Sequence, residues 1–207
     1  MNAVVEPWQK IAVESGDGAK SDLTVVMPDS GDELQASAPM VLIVPGMGIS
    51  SRSYKQVAQA LADNGVIAIS ADLRGNGSSS EKASRRVDYG YREHVEFDFP
   101  ANVAAIRKAL GDRPLFILGH SLGGQLGVLF MAANPNAVQG LLAVASGSIY
   151  HRTWPWQSKA LLLGLTYGFR LGSQVLGYFP GHRVGFGGSE PKTGIQDWNY
   201  QARTGRY

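Results

Sequence analysis

The sequence predicts an α/β fold with a largely parallel sheet, and three observations carry that reading. Short apolar runs recur along the chain: MVLIVPG (residues 40–46), VIAISAD (66–72), PLFILG (114–119) and GLLAVAS (140–146). Segments with apolar residues at helical spacing separate them. A continuous apolar run bounded by turn residues suits a strand covered on both faces, and alternation of such runs with helices builds a parallel sheet. Length is the third observation: 207 residues, 44% hydrophobic and 17% charged, suffice for one sizeable core but not for two ordinary domains.

Taken in order, QKIAVES (9–15) and DLTVVMP (22–28) read as an antiparallel pair joined by the turn residues GDGAK. SYKQVAQALADNG (53–65) reads as a helix with Val57, Ala60 and Leu61 on one face and Gly65 as its stop. DFPANVAAIRKALGD (98–112) reads as a helix with Asp98 as N-cap, Pro100 in its first turn and Gly111 at its end. GGQLGVLFMAANP (123–135) is the helix after the third apolar run. Beyond Ser146 the pattern changes. Trp154 to Phe179 places Leu161, Leu165, Phe169, Leu176 and Phe179 at roughly helical spacing, PGHRVGFGGSEPKTG reads as a loop, and IQDWNYQARTGRY carries no strand signal. The expected division is a core over residues 1–149 and a lid segment with an incomplete C-terminal end over 150–207.

Composition narrows the chemistry. With no cysteine, disulfides, thiolate catalysis and cysteine-ligated metals are excluded. The net charge of +2 conceals an asymmetry: residues 151–207 carry seven Lys or Arg against two Asp or Glu, and the first 150 carry twelve against fifteen. A basic, Trp-containing tail raises the question of nucleic acid or an anionic membrane. We read it as an ordinary uneven distribution, with no nucleic-acid partner. No window reaches the ~18 apolar residues of a membrane span, and ALLLGLTYGF is flanked by Lys159 and Arg170. MNAVVEPWQK lacks the basic region and apolar run of a leader, so the expected location is cytoplasmic.

Two stretches carry chemistry. Gly119-His120-Ser121-Leu122-Gly123 matches G-x-S-x-G, with the strand LFIL before it and a helix after it. Such a turn lifts a serine hydroxyl above the sheet, and it is so tight that the positions two before and two after must lack bulk. Gly119 and Gly123 meet that need, and Gly124 lets the helix pack closely. VPGMGIS (44–50) follows an earlier strand and offers backbone N–H groups of the kind that stabilise a developing oxyanion. Leu122, after the nucleophile, and Met47, in the earlier loop, are the expected donors.

Together these residues resemble the α/β-hydrolase family, in its lysophospholipase, monoglyceride-lipase and serine-aminopeptidase-like branch. The resemblance extends over most of residues 8–146 and includes Asp72-Leu73-Arg74-Gly75-Asn76-Gly77-Ser78-Ser79, similar to the family's D-x-R-G-x-G-x-S loop. It implies a mostly parallel twisted sheet with about six of eight strands present, and a helical cap after the sixth. It further implies Ser121 as nucleophile, an ester-type substrate, and neither metal nor cofactor. Pro45 departs from the pattern, standing where many members have histidine before the glycine.

The family places its acid and its histidine after two further strands, in the order Ser, Asp, His. Neither strand is found here. After Ser121 the only histidines are His151 and His182, and the only acids are Glu190 and Asp197. Both histidines read as loop residues, with His182 the base candidate to test. His120 should face away from its neighbour Ser121, and His94 reads as solvated or capping. The expectation is therefore a serine hydrolase lacking roughly 50–80 C-terminal residues, weakly active or inactive alone. GLLAVAS then becomes an exposed edge strand through which copies can associate.

Two other readings stay open. One is a hydrolase-shaped binding or scaffold protein without turnover. The other is a dinucleotide-binding oxidoreductase, in which Gly46-x-Gly48 precedes a helix and Asp72 ends the next strand. Ser51 stands at its third glycine.

Overall fold

The computed structural model describes residues 8–29 and 37–207. Residues 1–7, on which the expectation about a leader rested, lie outside the described residues. Six strands form one sheet: β1 (Trp8–Glu14), β2 (Lys20–Val26), β3 (Met40–Val44), β4 (Ile67–Ser70), β5 (Leu115–His120) and β6 (Gly140–Val144), in the order β1-β2-β4-β3-β5-β6. The β1–β2 and β2–β4 pairs are antiparallel, and β3–β4, β3–β5 and β5–β6 are parallel. This is the mostly parallel α/β-hydrolase sheet expected, flanked by helices.

Alternation along β3 explains why the sheet sits between two layers, since successive side chains point to opposite faces. Met40, Leu42 and Val44 join one core with Ile67, Ile69, Leu115 and Ile117. That core is closed by α2 (Phe99–Leu110) through Ile106 and by α3 (Leu122–Ala133) through Leu126 and Phe130. Val41 and Ile43 join the other, which is closed by α1 (Lys55–Asp63). The face of α1 differs from the sequence reading. Ala58 and Ala62 are buried, with Leu61 beside them, while Val57 is 39% exposed. Two alanines let the helix axis approach the sheet more closely than valine would.

The segment before α2 also departs from expectation. Asp98 makes no cap hydrogen bond, because the helix does not start there. It continues from a short turn, Tyr91–Glu93, through a π-helical turn, His94–Asp98. His94 is not solvated: it is 6% exposed, with Nδ1 3.1 Å from Asp98 Oδ2. Arg74 Nη2 and Nε donate to the same carboxylate at 2.6 and 3.1 Å, and Nη1 and Nη2 form a fork on Asp17 at 2.7 and 3.1 Å. Ser15 Oγ donates to Asp98 at 2.9 Å. Burial would raise the Asp98 carboxyl, but the bonds from His94 and Arg74 outweigh it and hold it at about 2. Bidentate, charge-assisted bonds of this kind fix geometry; here they bolt the loop after β4 to the β1–β2 turn and to the π-helical turn.

After β6, α4 (Trp156–Leu176) ends at Gly177, whose φ is +82°. The segment read as a loop contains a small hairpin, β7 (Tyr178–Pro180) with β8 (Ser189–Pro191), and the chain's end is α5 (Lys192–Thr204). Phe169 of α4 packs against Phe179 with ring centroids 4.3 Å apart and stacks on Trp198 of α5 at 6.1 Å. Asp197 accepts from the Tyr91 N–H at 2.9 Å and Asp88 from the Thr193 N–H at 2.8 Å, docking α5 on the segment that leads into α2. Among the described residues no helix is long and apolar enough to cross a membrane.

Candidate active site

Parallel register brings the two glycine-rich loops together. Val44, the last residue of β3, pairs with Gly119 of β5, so the chains that leave both strands emerge side by side. The strand order turns back at β3, and the crevice outside the carboxyl ends of strands at such a point is where open α/β sheets bind ligands.

Ser121 occupies the sharp turn between β5 and α3 with φ +50° and ψ −118°, a conformation that a residue with a β-carbon rarely adopts. Its N–H donates to Val144 O at 2.9 Å, and its carbonyl accepts from the Gly124 and Gln125 N–H groups at 3.1 and 3.2 Å, which starts the helix. The glycines explain how the turn closes. A β-carbon on Gly119 would lie 2.4 Å from Gly124 Cα, and one on Gly123 would lie 2.4 Å from Val44 O. Ser146 Oγ donates to Gly119 O at 3.2 Å and fills the space over Gly124.

Ser121, Leu122 and Met47 line one cavity of about 420 Å³, together with Gln125, Ala145, Gly147, Ser148, Ile149, Trp154, Phe186 and Trp198. Leu122 is the first residue of α3, where a backbone N–H has no intrahelical carbonyl and the helix dipole favours negative charge. The loop that bears Met47 is held from the far side. Gly48, at φ +67°, sits so close to Gly187 and Gly188 that a β-carbon would fall 2.3 Å from Gly188 N. Glu190 in turn accepts from the Gly188 N–H at 2.7 Å, and its burial pushes the carboxyl above the ordinary range.

The chain has four histidines, and each directs Nδ1 to a partner other than Ser121. His94 meets Asp98, as above. His120 Nδ1 lies 2.7 Å from Tyr54 Oη. His151 is 3.0 Å from Ala202 O. His182 is 3.4 Å from Ser189 Oγ within the hairpin loop and is not among the residues that line the cavity. Asp72, the acid of the dinucleotide reading, is engaged by its own chain: it accepts from the Ser51 and Ser78 N–H groups at 2.7 and 2.9 Å. Burial would raise its pKa, but these bonds outweigh it and keep it below the ordinary value.

Sequence reasoning missed three features. Gln125 stands one helical turn beyond Ser121, a spacing that could have identified it. Glu190 bonds Gly188, two residues away, and His94 and Asp98 stand four apart, so their spacing was legible; their burial was not, because Arg74 and Ser15, which complete the Asp98 network, are remote in sequence.

Comparison with known proteins agrees with this architecture. The family model described as serine aminopeptidase, S33, matches residues 35–177. A monoglyceride lipase homologue of Monkeypox virus is 28% identical over 106 residues, which cover 51% of this chain and 37% of the relative. The monoglyceride lipase of Mus musculus is 27% identical over the same share of this chain and 34% of its own length. The chain therefore spans about a third of these curated relatives. Among solved structures, a thermostable carboxyl esterase of Bacillus coagulans superposes with TM-score 0.60 at 20% identity, over 80% of this chain and 51% of that one. An epoxide hydrolase from Vigna radiata superposes with TM-score 0.52 at 21% identity, over 69% and 39%. At such identities the structures speak for the fold alone, which hosts esters and epoxides alike. The matched family model spans more than half of the chain and includes the Ser121 turn, so the chain belongs to the serine aminopeptidase S33 family of α/β-hydrolases.

Proposed function

We propose that this chain carries the nucleophile half of a serine hydrolase that cleaves an ester-type acyl bond through an acyl-enzyme on Ser121. The single observation that carries the reading is the strained Ser121 turn at the mouth of a cavity, beneath the N-terminus of α3. Ser121 Oγ attacks the carbonyl carbon, the C–O bond to the leaving alcohol breaks, and water then releases the acid. The Leu122 and Met47 N–H groups serve as oxyanion donors, and residues 150–207 act as the cap that supplies Trp154, Phe186 and Trp198. A serine needs a base to take its proton. No histidine lines the cavity that holds Ser121, which favours an acid and a histidine beyond Tyr207, with this chain weakly active or inactive alone. The same observation favours, for these 207 residues in isolation, a second reading as a hydrolase-shaped binding protein.

The test is labelling with a fluorophosphonate probe, read by intact mass, on this chain, on its natural C-terminal extension and on Ser121→Ala versions of both. The expected result is a stoichiometric adduct on the extended chain, lost in Ser121→Ala, and none on the 207-residue chain. An extended, folded chain that stays unlabelled overturns the hydrolase reading. Labelling of the short chain at Ser121 overturns the missing-base argument and makes His182 the first residue to replace.

A further inference from the structure

Glu190 is 7% exposed at the middle of β8, and no step of the acyl chemistry above uses it. Its Oε1 accepts from the Gly188 N–H at 2.7 Å. The turn between β7 and β8 does not need that bond to close. Backbone bonds already close it: the His182 N–H donates to Gly188 O at 3.0 Å, and the Val184 and Phe186 N–H groups donate to Gly181 O at 2.9 and 3.0 Å. Burying a carboxyl for one further bond is costly, and here burial pushes that carboxyl above its ordinary range.

The bond lands on the peptide that touches the loop bearing Met47. A β-carbon on Gly48 would fall 2.3 Å from Gly188 N and 2.4 Å from Gly187 C, and one on Gly188 would fall 3.6 Å from Gly48 Cα. The Gly187–Gly188 peptide therefore meets Gly48 backbone to backbone while Glu190 holds its N–H. Met47 immediately precedes Gly48, and Phe186, in the same turn as Gly188, lines the Ser121 cavity beside Met47. Glu190, Met47, Gly48 and Leu122 also border one small cavity of about 20 Å³, space for a single water. An oxyanion donor acts by being held in place before the charge develops. A misplacement of about 1 Å can cost ~10²-fold in rate.

We propose that Glu190 is a positioning residue for the reaction at Ser121: by holding the Gly188 N–H it keeps the Gly187–Gly188 peptide against Gly48 and fixes the Met47 N–H where the oxyanion forms. The inference deepens the serine-hydrolase reading of Ser121 and rests on it. Glu190 touches no substrate and acts through two backbone segments. The acceptor oxygen at that reach carries the effect, and the charge does not.

The experiment follows the rate of fluorophosphonate labelling of the naturally extended chain against probe concentration, which separates the limiting rate from the half-saturating concentration. Glu190→Ala removes the acceptor. Glu190→Asp keeps the charge on an arm one methylene shorter, and Glu190→Gln keeps the arm and its acceptor oxygen without the charge. The limiting rate is expected to fall about 10- to 100-fold in Glu190→Ala and Glu190→Asp. In Glu190→Gln it stays within about threefold of wild type. Half-saturating concentrations stay within about twofold throughout, because the interaction is made only as the oxyanion forms. A wild-type limiting rate in Glu190→Asp overturns the proposal, as does an equal loss in Glu190→Gln or a loss confined to half-saturation. So does a smaller labelled fraction at unchanged rate, the mark of a residue that merely keeps the hairpin folded. The comparison of Glu190→Asp with Glu190→Gln decides even if Glu190→Ala does not fold. Labelling of the wild type with unchanged rates in the variants removes this inference alone; an unlabelled, folded wild type removes the hydrolase reading and this inference with it.

Discussion

The backbone of Gly119 lies so close to that of Gly124 that a β-carbon on the first would fall 2.4 Å from the Cα of the second. Strand end and helix start are thereby pressed together, and the serine between them is forced into its left-handed conformation. Gly119→Ala therefore has no cheap relaxation, because the obstacle is backbone. We expect it to destabilise the fold by roughly 2–3 kcal/mol. Gly164 on α4 is the control: a β-carbon there meets nothing within 4 Å. Gly164→Ala is expected to stabilise by about 0.5–1 kcal/mol, the ordinary helix-propensity gain. Urea denaturation of the two variants checks both signs.

Arg74 is the most consequential charge in the core-facing loops. Its side chain is 6% exposed and neutralises both Asp17 and Asp98. Arg74→Met fills the volume but leaves two carboxylates without their cation, and breaking a buried pair from one side costs on the order of 3–5 kcal/mol. Asp17→Asn removes the more exposed partner and should cost under ~1 kcal/mol, since its pairing is largely solvent-screened. A smaller loss for Arg74→Met than for Asp17→Asn would show that the network does not hold the fold.

The same network sets the acid limb of stability. In the folded state the Asp98 carboxyl is held at about 2, below its ordinary 3.8. A depressed carboxylate contributes stability that is present above its unfolded value and lost as pH falls through its folded value, so the window runs from about pH 4 down to about 2. Asp98 alone accounts for about 2 kcal/mol of that loss. Asp17 and Asp72, also lowered, act in the same sense. Glu190 and Asp197 are raised by burial and act oppositely, favouring the fold as acid is added. Unfolding free energies measured from pH 6 to pH 2 should fall steeply below about 4 in the wild type and more gently in Asp98→Asn.

β6 pairs with β5 on one side, and no described strand lies on its other side. Leu142 and Val144 upon it are 53% and 48% exposed. An apolar edge strand is a template for pairing with a second chain, and a lysine on the edge suppresses that. We expect concentration-dependent association of the 207-residue chain in sedimentation velocity, abolished by Leu142→Lys. A monomer at all concentrations would show the edge to be protected by its own segment.

The local part of this architecture was legible because its causes are local. A strand buried on both faces must be apolar at every position, as Met40–Val44 is, and a strand-to-helix turn without room for side chains must be glycine at fixed offsets, as at Gly119 and Gly123. Helix α1 showed the limit of that logic. Spacing located the helix, but Ala58 and Ala62 rather than Val57 face the sheet, because the distance between helix and sheet is a property of the packed pair.

What the sequence by itself determined is the alternation of strands and helices up to Ser146, the tight turn at Ser121 and the family. Only the tertiary structure decided the rest. It buried His94 against Asp98, brought Ser15 to a carboxylate 83 positions away, set Gly188 against Gly48 and tied Gln125 Nε2 to Gly147 O. The physical reason is the range of the interactions. Steric and turn preferences act over a few residues and leave periodic traces. A buried ion network or a cavity wall is assembled from segments that meet only after the chain has closed on itself, and no spacing along the sequence records which of them will touch.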